Sequence, residues 1–146
     1  AIIANRDRGI TESNGVYRWS ESGKMWEKLP FGLPAGAWTS GLQRLDSGLR
    51  FTDLNGDGIA NDLIFADEEN YGAFVFSNLE NGWSRVLRTG QAGEEGALRP
   101  IVRKFGENNG FFVKDRVLYW VNEDTGELPD HVDRLPMDEL LGSENP

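Results

Sequence analysis

The chain has 146 residues, about one domain's worth, and 24 Asp and Glu against 15 Lys and Arg give it a net charge of −9. That balance argues against nucleic acid and anionic membrane surfaces, which recruit through clustered Lys and Arg, and leaves cations as natural ligands. The absence of Cys removes disulfides, thiol catalysis, Cys-type zinc sites and Cys-anchored haem, and a single His removes a multi-histidine metal centre.

Short β-rich runs between turn signals dominate the pattern, so the expected class is all-β. In chain order the strands are expected at Ala1–Asn5, Val16–Trp19, Met25–Leu29, Leu49–Asp53, Leu63–Asp67, Ala73–Ser77, Ser84–Arg88, Pro100–Lys104, Phe111–Lys114 and Val117–Asn122. Ser22-Gly23, Asp57-Gly58, Asn81-Gly82 and Asn109-Gly110 punctuate them, pairing residues that suit tight turns. One short helix is expected from Pro136 to Leu141, with Pro in its first turn and Asp138 and Glu139 at its positive end. No apolar run approaches the ~18 residues of a membrane helix, and the opening Ala1–Gly9 lacks the basic n-region of a secretory signal.

A repeat is visible at an offset of 57: Gly15, Tyr17, Trp19, Ser20 and Trp26 correspond to Gly72, Phe74, Phe76, Ser77 and Trp83. Ile2–Asn5 resembles Ile64–Asp67, and a looser third copy runs from Gly110-Phe111-Phe112 to Trp120. Only the second copy carries an acidic loop before its apolar strand, so the first is expected to begin partway through a repeat. The division expected is a first repeat over 1–45, a second with its following hairpins over 46–128, and a connector with a short helix over 129–146. Trp19, Trp26 and Trp83 are expected in the core between sheets, with Trp38 and Trp120 less determined.

The sharpest chemistry lies in Asp53–Asp62. Oxygen-bearing side chains fall at loop positions 1, 3 and 5 (Asp53, Asn55, Asp57), Gly58 permits the sharp turn at 6, and the carbonyl of Ile59 at 7 adds a backbone oxygen. Asn61 or Asp62 finishes the set, directly or through water. An EF-hand would place Glu at position 12, where this chain has Ile64 within the apolar run Leu63-Ile64-Phe65. The loop is therefore expected to bind Ca2+ and to feed a strand, and its role is expected to be structural, with no catalytic residue. Hard oxygen donors in this number suit calcium better than magnesium or zinc.

Asp53–Gly58 followed by an apolar strand resembles the FG-GAP/VCBS repeats of β-propellers, including those of integrin α-subunits. Several segments also resemble the FG-GAP-like region of exported planctomycete-type proteins that join a membrane-bound dehydrogenase propeller to a CxxCH haem-binding domain. These are Gly15–Trp19, Leu29–Gly36, Gly48–Gly58, Gly82–Arg85, Asn108–Gly110, Asn122–Thr125 and Leu128–Arg134. The resemblance implies an antiparallel β-propeller-type repeat module of two to three blades, a partial propeller. It also implies an extracellular or periplasmic setting and neighbouring domains of a larger protein as partners, with carbohydrate or another protein as further candidates. There is no CxxCH, so haem is not carried over, and Gly58–Leu63 holds one residue more than the family's loop. The alternative is an accessory or substrate-binding part of a dehydrogenase or carbohydrate-active enzyme. That reading would look to Trp38, Trp120 and Glu95 around the loop. Asp67 is weighed as an outer-shell contact, Glu94-Glu95 as a loop pair and His131 as a surface residue.

Overall fold

The computed structural model describes residues 15–40, 45–103, 106–121 and 132–142 in full, and the backbone alone of residues 2–5. Among the described residues ten strands form three open antiparallel sheets and one short helix follows them, so the chain is all-β as expected. The first sheet is β1 (Ile2–Asn5), β2 (Gly15–Ser20) and β3 (Met25–Lys28). The central sheet is β4 (Leu49–Thr52), β5 (Asp62–Ala66), β6 (Asn70–Val75) and β7 (Arg85–Gln91). The third is β8 (Phe111–Lys114), β9 (Val117–Trp120) and β10 (Asp133–Pro136), followed by α1 (Met137–Gly142). In every sheet spatial order follows chain order, a meander of neighbouring strands.

The central sheet is covered on both faces. Successive side chains of a strand point to opposite faces, and β5 sends Leu63 and Phe65 into one apolar cluster and Ile64 and Ala66 into another. The first cluster takes Val16 from β2 and Leu33 and Ala37 from the segment after β3, with Phe31 packed at its margin. The second takes Leu98, Ile101 and Val102, then Leu118 and Trp120 from β9, and Met137 and Leu140 from α1. Burial on both faces explains why Leu63–Ala66 is a continuous apolar run where a half-solvated antiparallel strand alternates. Across the sheet, Phe51, Leu63, Phe74 and Val86 stand in register. The middle pair is buried and the two ends are exposed. A bulge on β7 slips the register at Ala73/Phe74 and turns Leu87 inward.

The two copies of the Gly-x-aromatic pattern use the same local device. A Cβ at Gly15 would lie 2.6 Å from the Tyr17 ring, and one at Gly72 would lie 2.6 Å from Phe74 and 2.7 Å from Phe65. Each ring folds back over the backbone two residues earlier.

Three expectations are corrected. Pro100–Lys104 is not a strand over its described residues. Ile101 and Val102 are buried and their N–H groups donate to the Ala66 carbonyl, with Val102 making only an isolated bridge to Asn108. Residues 133–136, expected within a connector, pair with β9 instead. The partition of the tryptophans also differs. Trp83 and Trp120 are buried, but Trp26 is 43% exposed and Trp19 only partly covered. Their rings meet edge to face on the first sheet at 5.6 Å, whereas Trp83 is walled in by Phe31 and Phe76. Among the described residues no helix is long and apolar enough to cross a membrane.

Candidate metal centre

The acidic loop leaves β4 at Asp53 and enters β5 at Asp62, so a hairpin connection of the central sheet positions it. Asp53 organises the turn: one carboxylate oxygen accepts the N–H groups of Gly56 (2.8 Å) and Asp57 (3.1 Å), and the other accepts that of Gly58 (2.8 Å). Asn55 Oδ1 accepts the Asp57 N–H at 3.3 Å, and Asp57 Oδ1 accepts the Ile59 N–H at 2.9 Å. These bonds wrap the backbone around three oxygen-bearing side chains. Gly56 and Gly58 take positive φ, +78° and +85°, which lets the turn close that tightly.

Electrostatics follow from the same contacts. Desolvation pushes the Asp53 carboxyl up. It is outweighed by the N–H groups of Gly58, Gly56 and Asp57 and by the Arg116 charge, which together hold it below the ordinary carboxylate value.

The two candidates for completing the shell occupy different environments. Asp62 is fully buried, and its carboxylate braces the backbone. One oxygen accepts the N–H groups of Leu54 (2.8 Å) and Asn55 (3.3 Å), and the other that of Phe76 (2.9 Å). Asn61 differs: its Oδ1 is buried and finds no hydrogen-bond donor among the described residues. Its backbone carbonyl accepts the indole N–H of Trp83 at 2.7 Å. The Ile59 side chain is 57% exposed. Among the described residues no three His, Cys, Asp or Glu side chains converge as a metal group. The donors gathered here are two carboxylates with amide and backbone oxygens.

Arg116 reaches the loop from the third sheet. Its guanidinium donates to the carbonyls of Asp53 (3.1 Å) and Leu54 (2.9 Å), and Leu54 itself is fully buried in the core shared with β9 and α1. Sequence reasoning did not find this residue. The available signal was the pair Asp115-Arg116 filling a two-residue connection between strands, where Asn-Gly or Asp-Gly is the usual choice.

The remaining candidates lie elsewhere. Asp67 follows β5 at the end opposite the loop, and it closes its own turn by accepting the N–H groups of Glu69 and Asn70. Glu94 accepts the Tyr71 hydroxyl and the Gln91 N–H, each at 3.0 Å, while Glu95 is exposed. Trp120 is 2% exposed and so lines no surface. Trp38 is partly covered. His131 lies outside the described residues.

No protein-family model matches this chain, and no significant match is found among curated proteins or solved structures. The donor chemistry is therefore the basis for a functional reading.

Proposed function

We propose that this chain is a non-catalytic calcium-binding module of FG-GAP/VCBS-like repeats, its three sheets being successive blades of a partial propeller in a larger exported protein. The meander within each sheet and the cover on both faces of the central sheet support the blade arrangement. The observation that carries the calcium reading is the buried Oδ1 of Asn61, an acceptor without a donor among the described residues. A cation satisfies such an oxygen, and leaving it unsatisfied is costly. Asp53, Asn55 and Asp57, the Ile59 carbonyl and Asn61 would hold the ion, with Asp62 as the brace beneath them. All are hard oxygen donors, as calcium prefers. A bound ion supplies charge neutralisation to a loop that otherwise gathers carboxylates. The function is architectural: an ordered platform for neighbouring domains, or for a carbohydrate or protein ligand.

The test is a thermal melt with EDTA and with ~1 mM calcium, a concentration suited to weak extracellular sites. At ~1 mM calcium and a Kd of about 0.1 mM, a ligand specific to the folded state adds about 1.4 kcal/mol, or roughly 3–6 °C for a chain of this size. Asp57→Ala should abolish that rise. A cooperative melt that ignores calcium would remove the reading.

A further inference from the structure

We propose that Arg116 couples the acidic loop to the third sheet and α1, so that order in one is transmitted to the other. Three elements meet at this residue. It sits in the turn between β8 and β9. Its side chain crosses to the loop 62 and 63 residues earlier, donating to the Leu54 and Asp53 carbonyls. Its own carbonyl accepts the N–H of Met137, the first residue of α1, at 2.9 Å. The guanidinium also lies 3.6 Å from Asp138 in the first turn of that helix.

The backbone points the same way. Asp115 and Arg116 have φ of +52° and +65°, a two-residue turn with both central residues left-handed. Glycine fits the second position without strain, and this chain places its longest cationic side chain there. A strained residue held in place by distant contacts marks a site where the surroundings impose the conformation. Here the imposing contacts are the two loop carbonyls and the helix N–H. The planar fork spans two adjacent carbonyls, a geometry that a lysine ammonium does not reproduce. Leu54, whose carbonyl is gripped, buries its side chain in the core that also holds Leu118, Met137 and Leu140. A displacement of the loop backbone at Asp53–Leu54 therefore acts on the third sheet through both a polar and an apolar contact. That calcium is the effector of this coupling rests on the proposed function; the coupling itself does not.

The experiment is peptide-level hydrogen exchange on the whole chain, in EDTA and in calcium, for wild type, Arg116→Gly and Arg116→Lys. Arg116→Gly relieves the turn and removes the fork. Arg116→Lys keeps the charge and a conventional side chain, and stands in if the glycine variant does not fold. In EDTA, exchange should rise about tenfold in both variants over 54–62 and over 133–142, the loss of one charged hydrogen bond at least. In calcium, wild type should gain protection over both segments and the variants over 54–62 alone. A rise confined to one segment in EDTA would overturn the coupling. So would wild-type protection of both segments in the variants. Calcium leaving the wild-type loop unchanged would instead remove the calcium reading, and the EDTA comparison would still decide the role of Arg116.

Discussion

Trp83 donates its indole N–H to the carbonyl of Asn61 at 2.7 Å, which ties the acidic loop to the aromatic cluster on one face of the central sheet. On the other side, Leu54 and Arg116 tie the same loop to the core shared with the third sheet. The nine residues that connect β4 to β5 thus straddle both apolar clusters of the central sheet.

The buried carboxylate of Asp62 should be the most sensitive position in the loop. Asp62→Ala leaves the N–H groups of Leu54, Asn55 and Phe76 without their acceptor. Only the Leu54 bond is fully buried and the other two are partly so; at about 1–3 kcal/mol for a buried orphan, the expected loss is at least about 1 kcal/mol and more as the other two lose their acceptor. Asp62→Asn, which keeps one oxygen, should lose roughly half as much. Urea denaturation of the calcium-free chain measures both, and a loss under about 1 kcal/mol for Asp62→Ala would contradict the brace.

The two buried tryptophans should respond in the order opposite to their depth. Trp120 is the more buried, yet its Nε1 has no acceptor among the described residues, and Trp83 uses its own. Trp120→Phe removes an orphan donor and so offsets part of the lost packing. Trp83→Phe removes a hydrogen bond worth about 1 kcal/mol together with its packing. Denaturation midpoints should fall further for Trp83→Phe; the reverse order would mean that burial alone governs both sites.

Acid should loosen the chain through two carboxyls. Burial pushes Asp46 and Asp53 up, but it is outweighed by Arg50 and the Gly48 N–H at Asp46, and by three loop N–H groups with Arg116 at Asp53. Both folded values lie below the ordinary 3.8. The unfolded chain therefore takes up protons first on acidification. The contribution of these groups is fully present above pH 3.8 and is lost as pH falls through the lower folded values. Asp46→Asn and Asp53→Asn should each flatten the acid limb of a stability-against-pH curve and leave its neutral region level.

Gly72→Ala should be disproportionately costly for one methyl group. The new Cβ would meet the Phe74 and Phe65 rings at 2.6 and 2.7 Å, and both rings are buried. Overpacking of this kind costs about 1–3 kcal/mol. The same change at Gly15, where only the partly covered Tyr17 ring must move, should cost less. Equal losses at the two positions would show that the rings yield equally.

The sequence was legible where local chemistry decides. Tight-turn pairs and short apolar runs located most strands, and the spacing of Asp53, Asn55 and Asp57 located the loop. It was less legible where tertiary cover decides. Alternation assigns Trp19 and Trp26 to a face of β2 and β3, but not whether another layer lies over that face. Pro100–Val102 is apolar because it packs against the end of β5, and an apolar run without a ladder reads like a strand. Asp133–Pro136 lacks β-branched residues and gave no strand signal, although its backbone completes a sheet. Asp62 and Asn61 were indistinguishable as oxygen donors until their neighbours were known. Arg116 acts across 62 residues, a separation no local pattern reports.

Three open sheets leave six flanking strands, each with one row of backbone groups facing no strand among the described residues. Five of them carry residues that discourage a stranger from pairing: Glu27 and Lys28 on β3, Arg50 on β4, Arg85 and Arg88 on β7, Lys114 on β8, and Arg134 with Pro136 on β10. The sixth, β1, reads Ile-Ile-Ala-Asn and carries neither charge nor proline. That flank is therefore where a second chain would add a strand most readily, and a lysine introduced at Ile3 is the smallest change that would protect it.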